Sequence, residues 1–272
     1  MSQSGAKSRV LVLMYHSVAN GDGPTFMPRG LYEAQLDALQ DAGYHVAPLA
    51  DIERWRNGEG ELPAKTAMLT FDDALSDFAE AAAPAVLSRG WTATVFAPTS
   101  WVGRHSGWRG ADPRQCVLSW AELRSLRQSG IEIGSHAETH RDLAKLPEEE
   151  LRAEIANSRI RLEQELDAPV TQFAAPYGAV NAAVRAEIAR HYRLAAGVKL
   201  GRADRRSDLF DLPRIEMHYF RDLALWRNFL RDGAGAYFAL RQVARSVRAG
   251  LSRTMVGGST RRGLTPHAAS PG

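Results

Sequence analysis

Short apolar runs recur along this chain, and stretches with helical spacing separate them. The runs are Val10 to Tyr15, Ala67 to Phe71, Ala93 to Ala97, Ile131 to Gly134, Gln172 to Ala175, Leu194 to Gly197 and Leu212 to Met217. Runs of this length, bounded by turn signals, read as strands. Between them, Leu31, Gln35, Leu36 and Leu39 form a helical stripe that Gly43 ends, and Ala74 to Ser88 forms another before Gly90. Ser119 followed by Trp120-Ala121-Glu122 has the form of a capping box, with Gly130 closing that helix, and Pro147-Glu148-Glu149-Glu150 opens a long one. Strands alternating with helices predict a parallel sheet with crossover connections, doubly wound or closed into a barrel. Seven strand candidates favour the barrel.

No internal repeat and no Pro- or Ser-rich linker interrupts the pattern before residue 257. The expected organisation is a flexible segment 1–8, one α/β domain 9–240, a basic helix 241–256 and a disordered Gly/Ser/Thr/Pro-rich tail 257–272. The stretch Trp101 to Val117, carrying Gly103, Gly107, Trp108, Gly110 and Pro113, reads as a long loop of the kind that is commonly functional.

Composition narrows the chemistry. Of 272 residues 44% are hydrophobic, which suits a globular core and excludes overall disorder. The single cysteine, Cys116, excludes an intrachain disulfide and a thiolate metal cluster, so any metal must sit on histidines and carboxylates. No apolar stretch approaches the roughly 20 residues of a membrane helix, and the N-terminal segment does not have the form of an export signal. A net charge of +3 is modest and implies no nucleic-acid partner. The basic residues gather late, at Arg241, Arg245, Arg248, Arg253, Arg261 and Arg262, with Val243, Val247 and Leu251 at helical spacing among them. Such a segment suits a solvated last helix, docking on the protein's own body, or peripheral association with a membrane surface.

Two polar clusters follow the apolar runs. Asp72 and Asp73 end Leu69-Thr70-Phe71-Asp72-Asp73, and His136 and His140 stand in Gly134-Ser135-His136-Ala137-Glu138-Thr139-His140. Polar residues at the C-terminal ends of strands are where α/β barrels place their chemistry. An Asp pair after a strand also serves as a helix cap, and His residues four apart lie on one helix face or on a loop. Gly134 and Ser135 favour the loop. Two imidazoles and one carboxylate can hold a divalent metal with a position open to water, leaving the second carboxylate as a general base.

These residues resemble the motifs of the polysaccharide deacetylases, the NodB-homology family 4 carbohydrate esterases. Thr70-Phe71-Asp72-Asp73 is similar to the first motif, Ser135-His136-Ala137-Glu138-Thr139-His140 to the second and Phe173-Ala174-Ala175-Pro176-Tyr177-Gly178 to the third. The resemblance extends from about Val10 to about Met217. It implies a distorted (β/α)7 barrel in a single domain and metal-dependent hydrolysis of N-acetyl groups on a glycan. By that resemblance Asp72 is the base, Asp73, His136 and His140 bind the metal, and Tyr177 contributes an oxyanion N–H beside Pro176 in the substrate groove. Zinc is the default, with Co2+ and Ni2+ suiting the same ligands.

Two departures stand out. The family's third motif usually carries an arginine that orients the base, and here that position is Ala174; Arg214, in Leu212-Pro213-Arg214-Ile215, is the substitute. The late Leu-x-His motif that supplies the acid is also missing, whereas Leu13-Met14-Tyr15-His16 resembles members whose barrel is circularly permuted, making His16 the expected acid and His218 its rival. Asp22, His45, His105, His191 and His267 fall in no constellation. Trp101, Trp108 and Trp120 flank the long loop; Trp101 is the expected sugar-stacking aromatic and Trp120 a core residue. The resemblance further implies a bacterial enzyme acting on an N-acetylated precursor of a capsule or exopolysaccharide, in the cytoplasm at the inner face of the membrane. Two alternatives share the motifs: a hydrolase of small or cyclic amides, and a silent glycan-binding homologue. Oligomeric state and the particular glycan are not legible.

Overall fold

The computed structural model of the chain describes residues 9–232. The expected flexible start, basic helix and tail at 1–8, 241–256 and 257–272 lie outside the described residues. Strands β1 (Leu11–Tyr15), β3 (Thr66–Phe71), β4 (Thr94–Ala97), β5 (Glu132–Ser135), β6 (Gln172–Ala174), β7 (Leu194–Leu200) and β8 (Leu212–Glu216) form a closed seven-strand parallel barrel. The helices are α1 (Arg29–Asp41), α2 (Asp51–Asn57), α3 (Ala83–Leu87), α4 (Trp120–Gln128), α5 (Glu148–Leu166), α6 (Ala182–His191) and α7 (Leu223–Asp232). No helix among the described residues is long and apolar enough to cross a membrane.

Closure runs through β1, which pairs with β3 from Leu11↔Ala67 to Tyr15↔Phe71 and with β8 at Leu13↔Ile215 and Met14↔Glu216. The barrel is distorted by a two-residue strand β2 (His45–Val46) alongside the first residues of β3, while β4 pairs with the last residues of β3. Every residue of β1, β3 and β4 is buried, because barrel strands have packed faces on both sides. Alternation then sorts the side chains of β3. Phe71 stacks on Tyr15 and meets Tyr32 of α1 and Phe78, while Thr70 lies on the face that Arg214 reaches.

The N-terminal end of the barrel is sealed by apolar residues. Leu49, Ile52 and Trp55 of the β2–α2 segment pack with Val10, Val12, Met68, Phe96, Ala174 and Leu212. Half-buried Glu132, the first residue of β5, accepts hydrogen bonds there from the Leu49 and Ala50 N–H groups, the Thr94 hydroxyl and the Gln172 amide. Ser119 forms the expected capping box with Glu122 on α4.

The helix expected over 74–88 begins late. Asp73 and Ala74 have positive φ, 73° and 49°, so the chain turns sharply after β3 before a π-helical turn (Phe78–Ala82) leads into α3. Asp77, at the foot of that turn, accepts from the Ser17 hydroxyl and the Val18 N–H, tying the segment to the exit of β1.

Candidate active site

Polar residues collect at the C-terminal mouth of the barrel, opposite the sealed end. Asp72 and Asp73 leave β3, His16 leaves β1, His136 leaves β5, and Pro176 and Tyr177 follow β6 in a 3-10 turn. The structure brings the oxygens of Asp73 and the nitrogens of His136 and His140 within 4.8 Å of one another. Asp73 Oδ1 lies 3.1 Å from His140 Nε2 and 3.5 Å from His136 Nε2. It is buried, yet it takes no hydrogen bond, so three donor atoms converge without satisfying one another. A divalent cation would resolve that arrangement, and the donor set of two imidazoles and a carboxylate is one that zinc-type ions accept.

Both imidazoles are held by their neighbours. His136 Nδ1 lies 2.7 Å from the Ala174 carbonyl; the N–H therefore belongs on Nδ1, which leaves Nε2 as a lone pair facing Asp73. His140, in a left-handed conformation at φ 62°, has its ring stacked on Trp108 at 4.5 Å and meets the edges of Tyr177 and His136 at 4.8 and 4.9 Å. Burial pushes the pKa of Asp73 up, but the two imidazoles facing it outweigh that and hold it far below the usual carboxylate range. For His136, burial lowers and the carboxylates Asp73 and Asp72 raise, with a net rise. For His140, burial and the neighbouring His136 together lower it.

Asp72 lies 4% exposed beside this cluster. Its carboxylate receives a bidentate pair from Arg214, Nη1 to Oδ1 at 2.7 Å and Nη2 to Oδ2 at 2.8 Å. The same guanidinium donates to Thr70 Oγ1 at 3.1 Å and, through Nε, to the Gly197 carbonyl at 2.6 Å. Burial raises the pKa of Asp72; the charge and hydrogen bonds of Arg214, then His136 and His16, win and hold it below the ordinary value. His16 Nε2 lies 3.9 Å from Asp72 Oδ2, in a side chain that keeps partial exposure. The rival His218 sits in the 3-10 turn Met217–Phe220 after β8, with its ring 6.2 Å from that of Tyr219.

Tyr177 adopts φ 59° and is 49% exposed, with its hydroxyl donating to the Arg109 carbonyl at 3.0 Å. It is therefore a surface residue of the mouth, not a core aromatic. The bonds of its turn use the N–H groups of Gly178 and Ala179. Among the tryptophans, Trp108 covers His140, while Trp101 stands behind it at 5.6 Å and donates its indole N–H to the Thr139 carbonyl. Trp120, expected in the core, is only half-buried and carries the Arg161 guanidinium over its ring at 5.5 Å. His105 lies against Cys116, His191 pairs with Glu187 and His45 is exposed, all apart from the cluster.

Glu154 of α5 was not singled out in the sequence, though it accepts hydrogen bonds from the loop between the two imidazoles. Its signal is positional: Glu154 and Ser158 are polar residues within the stripe Leu151, Ile155, Leu162 and Leu166, which the barrel buries.

Comparison with known proteins places the fold and the family. The model of the polysaccharide deacetylase family matches residues 59–195. The YxkH protein of Bacillus subtilis (strain 168) is 24% identical over 211 residues, covering 77% of this chain and 72% of its own. Among solved structures, the Streptococcus pyogenes deacetylase PplD in complex with acetate is 25% identical with a TM-score of 0.66, covering 76% of this chain and 91% of that one. BC0361, a polysaccharide deacetylase from Bacillus cereus, is 26% identical with a TM-score of 0.65, covering 80% of this chain and 69% of that one. The fold alone is shared with IcaB from Ammonifex degensii, 22% identical at a TM-score of 0.70 over 81% of this chain and 97% of that one. With half the chain matched by the family's own model, this protein belongs to the polysaccharide deacetylase family.

Proposed function

We propose that the protein is a metal-dependent hydrolase that removes N-acetyl groups from an N-acetylhexosamine-containing glycan. The observation that carries this reading is the pairing of a convergent Asp73, His136 and His140 donor set with a separate carboxylate, Asp72, gripped by Arg214. The acetate complex of the Streptococcus pyogenes relative fits an acetyl-releasing reaction.

Asp73, His136 and His140 would hold a divalent cation, zinc by default. When bound, that cation supplies a Lewis acid that polarises the acetyl carbonyl and makes a water more acidic. Asp72, kept ionised by Arg214, is placed to take a proton from the attacking water. The N–H of Tyr177, in a turn facing the cluster, donates to the oxygen that gains charge as the carbonyl is attacked. His16 reaches the same side as Asp72 and hands a proton to the departing amine, so acetate and an amino sugar leave. Trp108 presents a ring beside His140 on which a sugar face can stack.

Acetate release from defined N-acetylglucosamine oligomers, with and without chelator and against a panel of small and cyclic amides, tests this reading. Chelator-sensitive release from the oligomers is the expected result. Preference for a small amide, or metal uptake without any hydrolysis, overturns it.

A further inference from the structure

The loop that presents both imidazoles is shaped from behind by one buried carboxylate. From His136 to His140 the chain takes two left-handed non-glycine residues, Ala137 at φ 63° and His140 itself at φ 62°. Such conformations are costly and persist only where the surroundings over-determine them. On one side, the carbonyls of Ala137, Glu138 and Thr139 are held by the Thr99 N–H at 3.2 Å, the Ser100 N–H at 2.9 Å and the Trp101 indole at 3.1 Å. On the other, Glu154 Oε2 accepts the N–H groups of Glu138 and Thr139 at 3.0 and 2.8 Å, and Oε1 accepts the Thr139 hydroxyl.

We propose that Glu154 is a positioning residue for the metal centre: through three hydrogen bonds to the loop it sets the angle at which His140 and His136 face Asp73. This rests on the reading of those three residues as the ligand set. Glu154 is 4% exposed on a stripe that is otherwise largely apolar, where a leucine would complete the packing and avoid the cost of burying a carboxylate. What the carboxylate adds is the shape of the loop. Asp73, at φ 73°, comes from a different strand and cannot follow a loop that relaxes, so misplacement of the imidazoles appears directly as lost metal affinity.

Shape and charge are separable at this position. In Glu154→Gln the amide oxygen can still accept both N–H groups while its NH2 donates to the Thr139 hydroxyl. Glu154→Asp keeps the charge but loses reach by one methylene, and Glu154→Ala loses every bond. The test is zinc titration of the full chain stripped of metal, with melting temperature recorded alongside. The expected result is wild-type uptake, E154Q within about threefold of it, and E154D and E154A about 10- to 100-fold weaker. Should E154A not fold, E154D decides. Wild-type affinity in E154D, or E154Q as weak as E154A, overturns the assignment. A wild-type chain that takes up no zinc overturns the ligand set itself and this assignment with it.

Discussion

Replacing Arg214 by alanine probes the base without touching a metal ligand. The guanidinium is fully buried and gives two hydrogen bonds to Asp72, one to Thr70 and one to the Gly197 carbonyl. Removing it strands a buried carboxylate, which costs about 3–5 kcal/mol when a buried pair loses one partner. At about 2–4 °C per kcal/mol for a chain of this size, the melting temperature should fall by roughly 6–20 °C at neutral pH. The sign of the pH dependence follows from the two directions of shift. In the wild type the Asp72 pKa is depressed, so its contribution is present above the unfolded value, near 3.9, and is lost as pH falls through the folded value. In R214A burial, the largest cause, is opposed only by His136 and His16 and raises the folded pKa; stability is then lost as pH rises from about 4 through that raised value. The gap in melting temperature should therefore be small in acid and widen toward neutrality. In kinetics, the acid limb of kcat/KM should move to higher pH, and kcat should fall about 100-fold or more as the base is unseated. A melting temperature within 2 °C of wild type at pH 7, together with an unmoved acid limb, would refute the argument.

Asp72→Asn should lower kcat by about 10²- to 10⁴-fold while zinc content, measured by atomic absorption, stays at the wild-type level; Asp73→Asn should lose the zinc itself. Trp108→Ala should raise KM for oligomers about five- to tenfold, in line with roughly 1 kcal/mol of aromatic stacking, and an unchanged KM would remove Trp108 from the groove. Glu132→Ala should cost about 3 kcal/mol by stranding the Leu49 and Ala50 N–H groups at the sealed end, seen as a lower melting temperature with zinc affinity unaltered.

The seven barrel strands were legible because each is a run that the barrel buries, and the motifs at their ends followed from the same placement. The pair β2 and α2 was not legible, since a two-residue strand has no period: β2 is held by its pairing with β3, and the lead into α2 by Glu132, which takes the Leu49 and Ala50 N–H groups from 83 and 82 residues away. The late start of the helix expected at 74 has a comparable cause. Left-handed Asp73 and Ala74 and the grip of Asp77 on Ser17 and Val18 are tertiary demands that override a good helical stripe. Arg214 could be named only because the third motif has alanine at 174; nothing local distinguishes it from a surface arginine. Trp108 and Glu154 show the limit, because their partners on the loop around His140 are distant in the chain.

Strand order explains why the site divides into two halves. Going round the barrel, β8, β1 and β3 are neighbours, and they carry Arg214, His16 and Asp72, the proposed acid and base with the arginine that grips the latter. β3, β5 and β6 carry Asp73, His136 and the Pro176-Tyr177 turn, with His140 on the loop after β5. The two halves meet in the single peptide between Asp72 and Asp73, where extended backbone changes to a left-handed residue and sends consecutive carboxylates to different partners. An arginine at position 174 would approach Asp72 from β6, whereas Arg214 approaches it from β8, on the side of β1 and His16. With Arg214 on β8 gripping Asp72 and the Ala174 carbonyl on β6 facing His136, the two groups are held by different strands, and substitutions of Arg214 should move the pH profile and melting temperature with the zinc affinity of Asp73, His136 and His140 unaltered.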